Sequence, residues 1–485
     1  MPDANEQAPL LRSRTASAYR TVWSRPAFTF SLPFTVCTTL ALMSSANYTS
    51  VGPGLEAVRT LACSEYLHAQ SGGGEQQCHS VEVDRRTAAI ITAASSISSL
   101  TSAISGLAFA PWLCSHICPR KLMLLCTLVP AIDYICQDYV LGSAKFSWLT
   151  PTLKLRFILL DSFVMGILAV DLVMQILSQS LLLRSASDSA KSRYLAFGTA
   201  SNYLGMVICV LPLRILEKAT YSLPAADAVN TFPFKISSAF CIAATLWVVT
   251  TIPRQSAANS AEDASAERTS PSQVSSSEAT TIMQPACGPS PGVEERRWPA
   301  RLRASFRPLA LLSPLRDGTS RDWSLVCVLI AASLCSQIGI ATANTIIFAQ
   351  AQFAFHSDEI SALLGVQGAL KITFLLALFP FVKQILQRRS GARYAHVRSL
   401  NMLSYESNHG AAPLPDVPGR VDLEFAKVSL LFDVGGWALM TIGGALHSLP
   451  TFIAGLIVYE LSAATGPTLV SLGTILLARL PGQNS

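Results

Sequence analysis

Asp171, Gln175 and Gln179 recur every four residues inside an otherwise apolar run. That spacing places them on one face of a helix, with Ser178 beside them. A carboxylate and two amides in a row can hand on a proton and hold a polar molecule. They can equally serve as hydrogen bonds between neighbouring helices, worth about 1 kcal/mol or less each. Gln367 and Lys371, also four apart, share a face in a second apolar run. Asp433 and Glu460 are carboxylates in two more, and Asp133, Asp138 and Asp161 lie in or near others. An ionisable group is expensive in hydrocarbon, so it faces a bundle interior or a wet cavity. Asp171 and Glu460 lie deepest in their runs. They are the candidates for a carboxylate that takes up and releases a proton, with Gln175 and Gln179 contacting a substrate.

Other chemistry finds no footing. The sequence has no G-x-S-x-G, no phosphate-binding Walker loop, no H-E-x-x-H and no paired C-x-x-C. Cys114, His116 and Cys118 form a cramped C-x-H-x-C followed by Pro119, poor spacing for a tetrahedral metal site. We therefore expect neither an enzyme nor a resident metal or cofactor, and no nucleic-acid partner.

The elements that position these residues follow from composition. Half of the 485 residues are hydrophobic, only 14% are charged, and the mean hydropathy is +0.40. Soluble proteins carry about 25% charged residues, so this much apolar sequence needs the bilayer as a second solvent. Ten runs approach the roughly 20 helical residues that cross it: 27–46, 87–113, 122–141, 155–181, 194–216, 235–253, 324–347, 360–383, 425–447 and 451–477. The expected fold is all-α and polytopic. A tail over 1–26 precedes a six-helix bundle over 27–253. A linker over 254–321 leads to a four-helix bundle over 322–477, and 478–485 forms a second tail. The linker opens on the Ser-rich, low-complexity SAANSAEDASAERTSPSQVSSSEATT. It closes on the basic RRWPARLRASFRPLALLSPLR, which fits either a helix lying on an anionic membrane surface or a solvated linker.

Lys and Arg set the orientation. With the N-terminus cytosolic, the short inner segments carry fifteen of them and the outer segments six. Both termini should then be cytosolic, and 47–86 should lie on the opposite, oxidising side. Cys63 and Cys78 in that segment are placed to form a disulfide. Asn47-Tyr48-Thr49 is a glycosylation sequon beside the first span.

Several strings resemble the major facilitator superfamily, in particular a fungal branch of it. The first outer segment reads CSEY (Cys63, Tyr66) and then CHSVEVD (Cys78, Glu82, Val83), close to that branch's Cys-x-x-Tyr and Cys-x-x-x-Glu-Val-Gln. WLCSHICPRKLM stands where the superfamily has G-x-x-x-D-R-x-G-R-[KR]. Arg120 and Lys121 match, while His116 replaces the Asp. DSAKSRYLAF resembles E-x-x-R-x-x-x-F at Arg193 and Phe197. LLGVQGALKITFLLALFP resembles the eighth span, with Gln367 for a usual Arg, and LIVYELSAATGPTLVSLGTIL the tenth, with Val470 for another.

The resemblance implies two helical bundles and alternating-access transport of a small organic molecule. Proton coupling and export of a secondary metabolite or drug are its defaults. Family members have twelve spans where this sequence supplies ten, and the signature loop lacks its Asp. The alternative is therefore a diverged membrane scaffold or sensor that recruits partners through its cytosolic linker. The expected surroundings are a lipid bilayer, the plasma membrane first and an organelle membrane second. The topology is testable with a unique cysteine placed in 255–281. It should resist a membrane-impermeant thiol reagent on intact cells, and labelling from outside would overturn the arrangement.

Overall fold

The computed structural model describes residues 31–70, 81–108, 113–114, 117–142, 149–186, 190–220, 231–252, 315–317, 320–322, 357–386 and 417–478, together with 327, 345, 348–349, 352–353, 355 and 388. The N-terminal tail, Cys78, His116, most of the linker, most of the run 324–347, much of 384–424 and the C-terminal tail lie outside the described residues. Eleven helices are described: α1 Leu32–Gln70, α2 Val81–Ala108, α3 Pro119–Gly142, α4 Pro151–Leu168, α5 Val170–Arg184, α6 Lys191–Thr220, α7 Phe232–Thr251, α8 Ser357–Thr373, α9 Val417–Ala445, α10 Leu449–Glu460 and α11 Thr465–Ala478. The described strands, β1 Leu315–Asp317 and β2 Ser320–Asp322, form one antiparallel ribbon with Arg316 opposite Arg321. The ribbon overlaps the end of the basic segment in which a surface helix was one of the two expectations.

Seven stretches among the described residues are long and apolar enough to cross a membrane. Large apolar side chains such as Leu100, Leu431, Val434 and Leu446 point outward, each more than 60% exposed. In water such a surface would be a liability; in hydrocarbon it is the ordinary outer face. The chain is an all-α multi-pass membrane protein.

Several spans differ from their sequence-based bounds, the first, fourth and tenth for a physical reason each. The first is not 27–46 but α1, 39 residues long. At 1.5 Å per residue it reaches about 58 Å, roughly twice the hydrocarbon thickness. Its C-terminal part is anchored by polar contacts. Arg59 pairs with Asp84 at 2.9 Å, Arg86 with Glu65 at 3.5 Å, and Thr152 donates to Glu65 at 2.9 Å. Cys63 on this stretch is disulfide-bonded. Asn47 consequently lies inside α1 rather than beside a span, and the Thr49 hydroxyl of its sequon is buried and donates to the Ser45 carbonyl at 2.6 Å.

The fourth span is broken. Ala169 adopts φ 47°, its N–H bonding back to Met165 and Gly166 carbonyls, and α5 restarts at Val170. The tenth is broken as well, at 461–464, because Pro467 has no N–H to continue the ladder and is tolerated only in the first turn of α11. Asp171 thus follows one break and Glu460 precedes the other. The eighth span runs on past α8 through a π-helical turn, Phe374–Leu378, to 386.

In the first half α1 packs on α6 and α7, α2 on α4, and α3 on α7; in the second, α9 packs on α10 and α11. Small residues set the closest approaches, as expected where lipid offers no hydrophobic drive for helices to associate. A Cβ at Gly436 of α9 would lie 2.6 Å from the Tyr459 backbone, and one at Gly455 of α10 2.5 Å from the Met440 nitrogen. Gly436→Val should therefore force α9 and α10 apart and destabilise the protein by about 1–3 kcal/mol. Denaturation of the purified protein in lipid nanodiscs measures this. Gly466→Val serves as the control, since a Cβ there meets nothing within 4 Å.

Candidate functional site

The two halves meet along α6 and α8. α8 turns its glycines to this seam: a Cβ at Gly365 would press on Val210, and one at Gly368 would lie 3.0 Å from the Tyr203 carbonyl. Lys371 comes three residues later on the same face. Backbone contact at Gly368 is what lets the Tyr203 ring of α6 reach it.

The Lys371 ammonium stands 4.5 Å from the centre of the Tyr203 ring and 5.3 Å from that of Tyr459. Its counter-charge is Glu460, with Nζ 3.2 Å from Oε2. Both side chains are almost wholly buried, at 7% and 2% exposure. Neither carboxylate oxygen of Glu460 receives a well-aligned hydrogen bond among the described residues. The contact is one of charge, with lone pairs left over. Asp433 of α9 is a second buried carboxylate, accepting from the Ser462 hydroxyl at 2.6 Å and acting electrostatically on Glu460 and Lys371. Ser462 sits in the break between α10 and α11, so the interruption supplies the donor. Gln367, buried, lies one turn before Lys371. Tyr48 of α1 also feels the Lys371 charge.

Apolar packing closes the seam on both sides of this cluster. Met206, Ile360 and Leu364 form one plug, bordered by Tyr48. Ala196, Ala200, Phe374, Leu375, Phe379 and Phe425 form the other. Beyond the second plug lies a polar clasp. Lys383 bonds to Asp422 of α9 at 2.6 Å and to Ser192 of α6, and Ser471 of α11 donates to the other Asp422 oxygen at 2.9 Å. Asp422, Ser192 and Ser471 are buried. On the far side of Trp437, which packs edge-on to Tyr459 with ring centres 5.7 Å apart, is a cavity of about 470 Å³ lined by Phe348, Gln352, Met440, Thr441 and Phe452.

Lys371 and Glu460 are thus brought together, with Asp433 and Gln367 near them. Asp171 and Gln175 lie elsewhere, on an accessible face of α5 in the first half, with Asp171 still close enough to act on Cys126 of α3 and Cys241 of α7. Asp171 acts electrostatically on Asp133, which shares the Gln137 amide with Asp161 at 3.0 and 2.8 Å. Gln179 lines a separate groove of about 420 Å³ with Arg184, Lys191 and Thr474. Of the signature-loop residues, Arg120 caps the Val249 carbonyl at 3.0 Å, and Lys121 and Arg193 are exposed. No group of three or more metal-ligating side chains is found among the described residues. Tyr203, Tyr459, Ser462 and the whole clasp escaped sequence reasoning. Aromatic and hydroxyl residues in apolar runs carry no mark of which cation they face. Asp422, just before a span, read as part of a loop.

No family model matches the chain, and neither does any curated protein. Solved structures do. The human organic anion transporter MFSD10 (TETRAN) aligns over 93% of this chain and 86% of its own at 16% identity, TM-score 0.52. A D-xylose–proton symporter aligns over 92% and 86% at 12% identity, TM-score 0.50. The major facilitator proton:xylose symporter XylE, bound to 6-bromo-6-deoxy-D-glucose, aligns over 94% and 84% at 13% identity, TM-score 0.52. The chain has the fold of major facilitator proteins.

A buried ion pair behaves asymmetrically on mutation. Lys371→Met strands the Glu460 charge and should destabilise the protein by about 3–5 kcal/mol, whereas Lys371→Met with Glu460→Leu should lose far less. Denaturation in nanodiscs compares the two. Equal losses would show that the pair contributes through shape rather than charge.

Proposed function

We propose that this protein is a proton-coupled secondary transporter of a small organic molecule, working by alternating access between its two helical halves. The observation that carries the proposal is the Lys371–Glu460 pair, buried where α6 of one half meets α8 of the other. A buried ion pair adds little to stability over a well-packed apolar replacement, so its placement at the seam calls for a role in mechanism. The fold is that of proteins whose titles describe an organic anion transporter and proton–xylose symporters. In such folds the binding site lies between repeats near the midplane, beside interrupted helices. Here the fourth and tenth spans are both interrupted, next to Asp171 and Glu460.

Glu460 is the proposed proton carrier of the pair and Asp171 the second candidate. Gln175 and Gln179 remain proposed substrate contacts along α5. The bias of Lys and Arg supports cytosolic termini, and the resemblance of the sequence to a fungal branch supports the plasma membrane and export as the default direction.

Reconstitution into liposomes tests the reading. With a pH gradient imposed, the wild-type protein should accumulate at least one member of a panel of organic acids, sugars and drug-like amphiphiles. Glu460→Gln should lose accumulation at least tenfold while keeping gradient-free exchange, because an amide matches the carboxyl's size but releases no proton. Asp171→Asn run alongside separates the two candidates. Absence of exchange for every compound tried would sink the transport reading.

A further inference from the structure

We propose that the Lys371 site takes a monoanionic organic molecule, a carboxylate or its equivalent, and that Glu460 is the internal anion which the ligand displaces. This rests on the transport reading and names its substrate class.

Charge balance at this buried site decides what can bind there. Lys371 is held by two aromatic faces and one carboxylate. Aromatic faces attract a cation without neutralising it. Among the described residues the formal counter-charge in contact with the ammonium is therefore Glu460. That carboxylate is held by the ammonium alone, 3.2 Å from Oε2; no further donor reaches either oxygen among the described residues, and a buried acceptor with spare lone pairs is costly to keep. It is the member of the cluster most easily replaced.

Four loadings can be compared. Ammonium with ionised Glu460 is neutral. Protonating Glu460 alone leaves a positive charge in the seam. A neutral ligand does not correct this, and a cationic ligand doubles it. A monoanion restores neutrality, provided that the proton arrives with it. With Glu460 ionised, the same anion would leave a net negative charge. Proton and anion therefore enter and leave together, and the empty and loaded sites carry the same charge. A charge difference within the bilayer is heavily penalised, so matched charge lets both forms reorient.

The remaining titratable groups around the site do not disturb this count. Tyr48 on α1, Tyr203 and Cys209 on α6, and Tyr459 on α10 enter the count as neutral phenol and thiol groups. Asp433 on α9 is a second carboxylate facing one ammonium. Neutrality needs a proton on it in the empty and the loaded site alike, so it shifts both equally. The anion's position follows from the cage. Tyr203 belongs to the first half, and Lys371, Tyr459 and Glu460 to the second. A ligand on the ammonium is touched by both. Because proton and anion travel in one direction, the ligand moves from the more acidic side of the membrane to the less acidic one.

Isothermal titration calorimetry on the full chain in nanodiscs tests the proposal. The probes are acetate, benzoate and indole-3-acetate, with benzamide and benzylamine as neutral and cationic counterparts of benzoate. Titrations in buffers of differing ionisation enthalpy count the protons taken up. At least one carboxylate should bind with a Kd of about 1 mM or tighter. It should take up about one proton near neutral pH, and its affinity should weaken about tenfold for each unit that pH rises there, as linkage requires. Glu460→Gln should bind without proton uptake or pH dependence, and Lys371→Gln should lose the carboxylates at least tenfold. Benzamide or benzylamine binding as well as benzoate would overturn the proposal. So would carboxylate binding without proton uptake by the wild type, or none of the three binding. Should Glu460→Gln fail to fold, the wild-type proton count decides. Carboxylate binding with no flux in liposomes would sink transport and leave the anion site standing. Flux of neutral or cationic compounds without carboxylate binding would do the reverse.

Discussion

A fixed ammonium inside a slab of hydrocarbon must be answered by a fixed negative charge, and much of this molecule follows from arranging that answer. Lys371 sits on a helix of one half and leans on an aromatic ring of the other. For the ring to come so near, α8 must touch the α6 backbone, and for that Gly368 must lack a side chain. For Glu460 to face the ammonium, α10 must stop and the chain must bend before α11. The bend brings Ser462 to Asp433, so the second carboxylate is also held. Charge, glycine and helix interruption are parts of one solution.

Around this polar centre the packing is that of a membrane protein. Phe379 and Phe425 meet edge-on with centres 4.9 Å apart in the plug towards the clasp. The large aliphatic residues turn outward to lipid. Polar groups in the helices are mostly absorbed locally, as where Thr39, Ser45 and Thr49 bond to carbonyls four residues back. Such bonds leave no polar group bare and commit no helix to a partner. Bonds that do commit helices are fewer, including Ser237 to the Ala46 carbonyl at 2.7 Å and the three contacts of the clasp.

Much of this was legible from sequence. The seven described stretches long and apolar enough to cross a membrane all coincide with runs marked by hydropathy, and the rarity of charge in apolar runs singled out Lys371, Asp433 and Glu460. Spacing put Gln367 on the Lys371 face. What could not be read was pairing across the seam, because Lys371 and Glu460 are far apart in sequence and no periodicity joins them. The reach of α1 was also hidden. Glu56, Arg59 and Glu65 look like the end of a span until Asp84, Arg86 and Thr152 are seen to answer two of them. The break at Ala169 left no mark, since alanine is the best of helix formers, whereas the break before Pro467 was written in the proline itself.

The clasp of Lys383, Asp422, Ser192 and Ser471 bears on tempo. Its Lys383–Ser192 bond ties the two halves at one mouth, about three turns along the eighth span from Lys371. In a carrier of the proposed kind, the dwell with that mouth shut turns on the Lys383–Ser192 bond, which the ion pair within the second half holds in position, while the ligand chooses what is carried when it yields. Turnover and selectivity then reside in different residues, some three helical turns apart along the eighth span, and evolution can retune the clock without touching the lock.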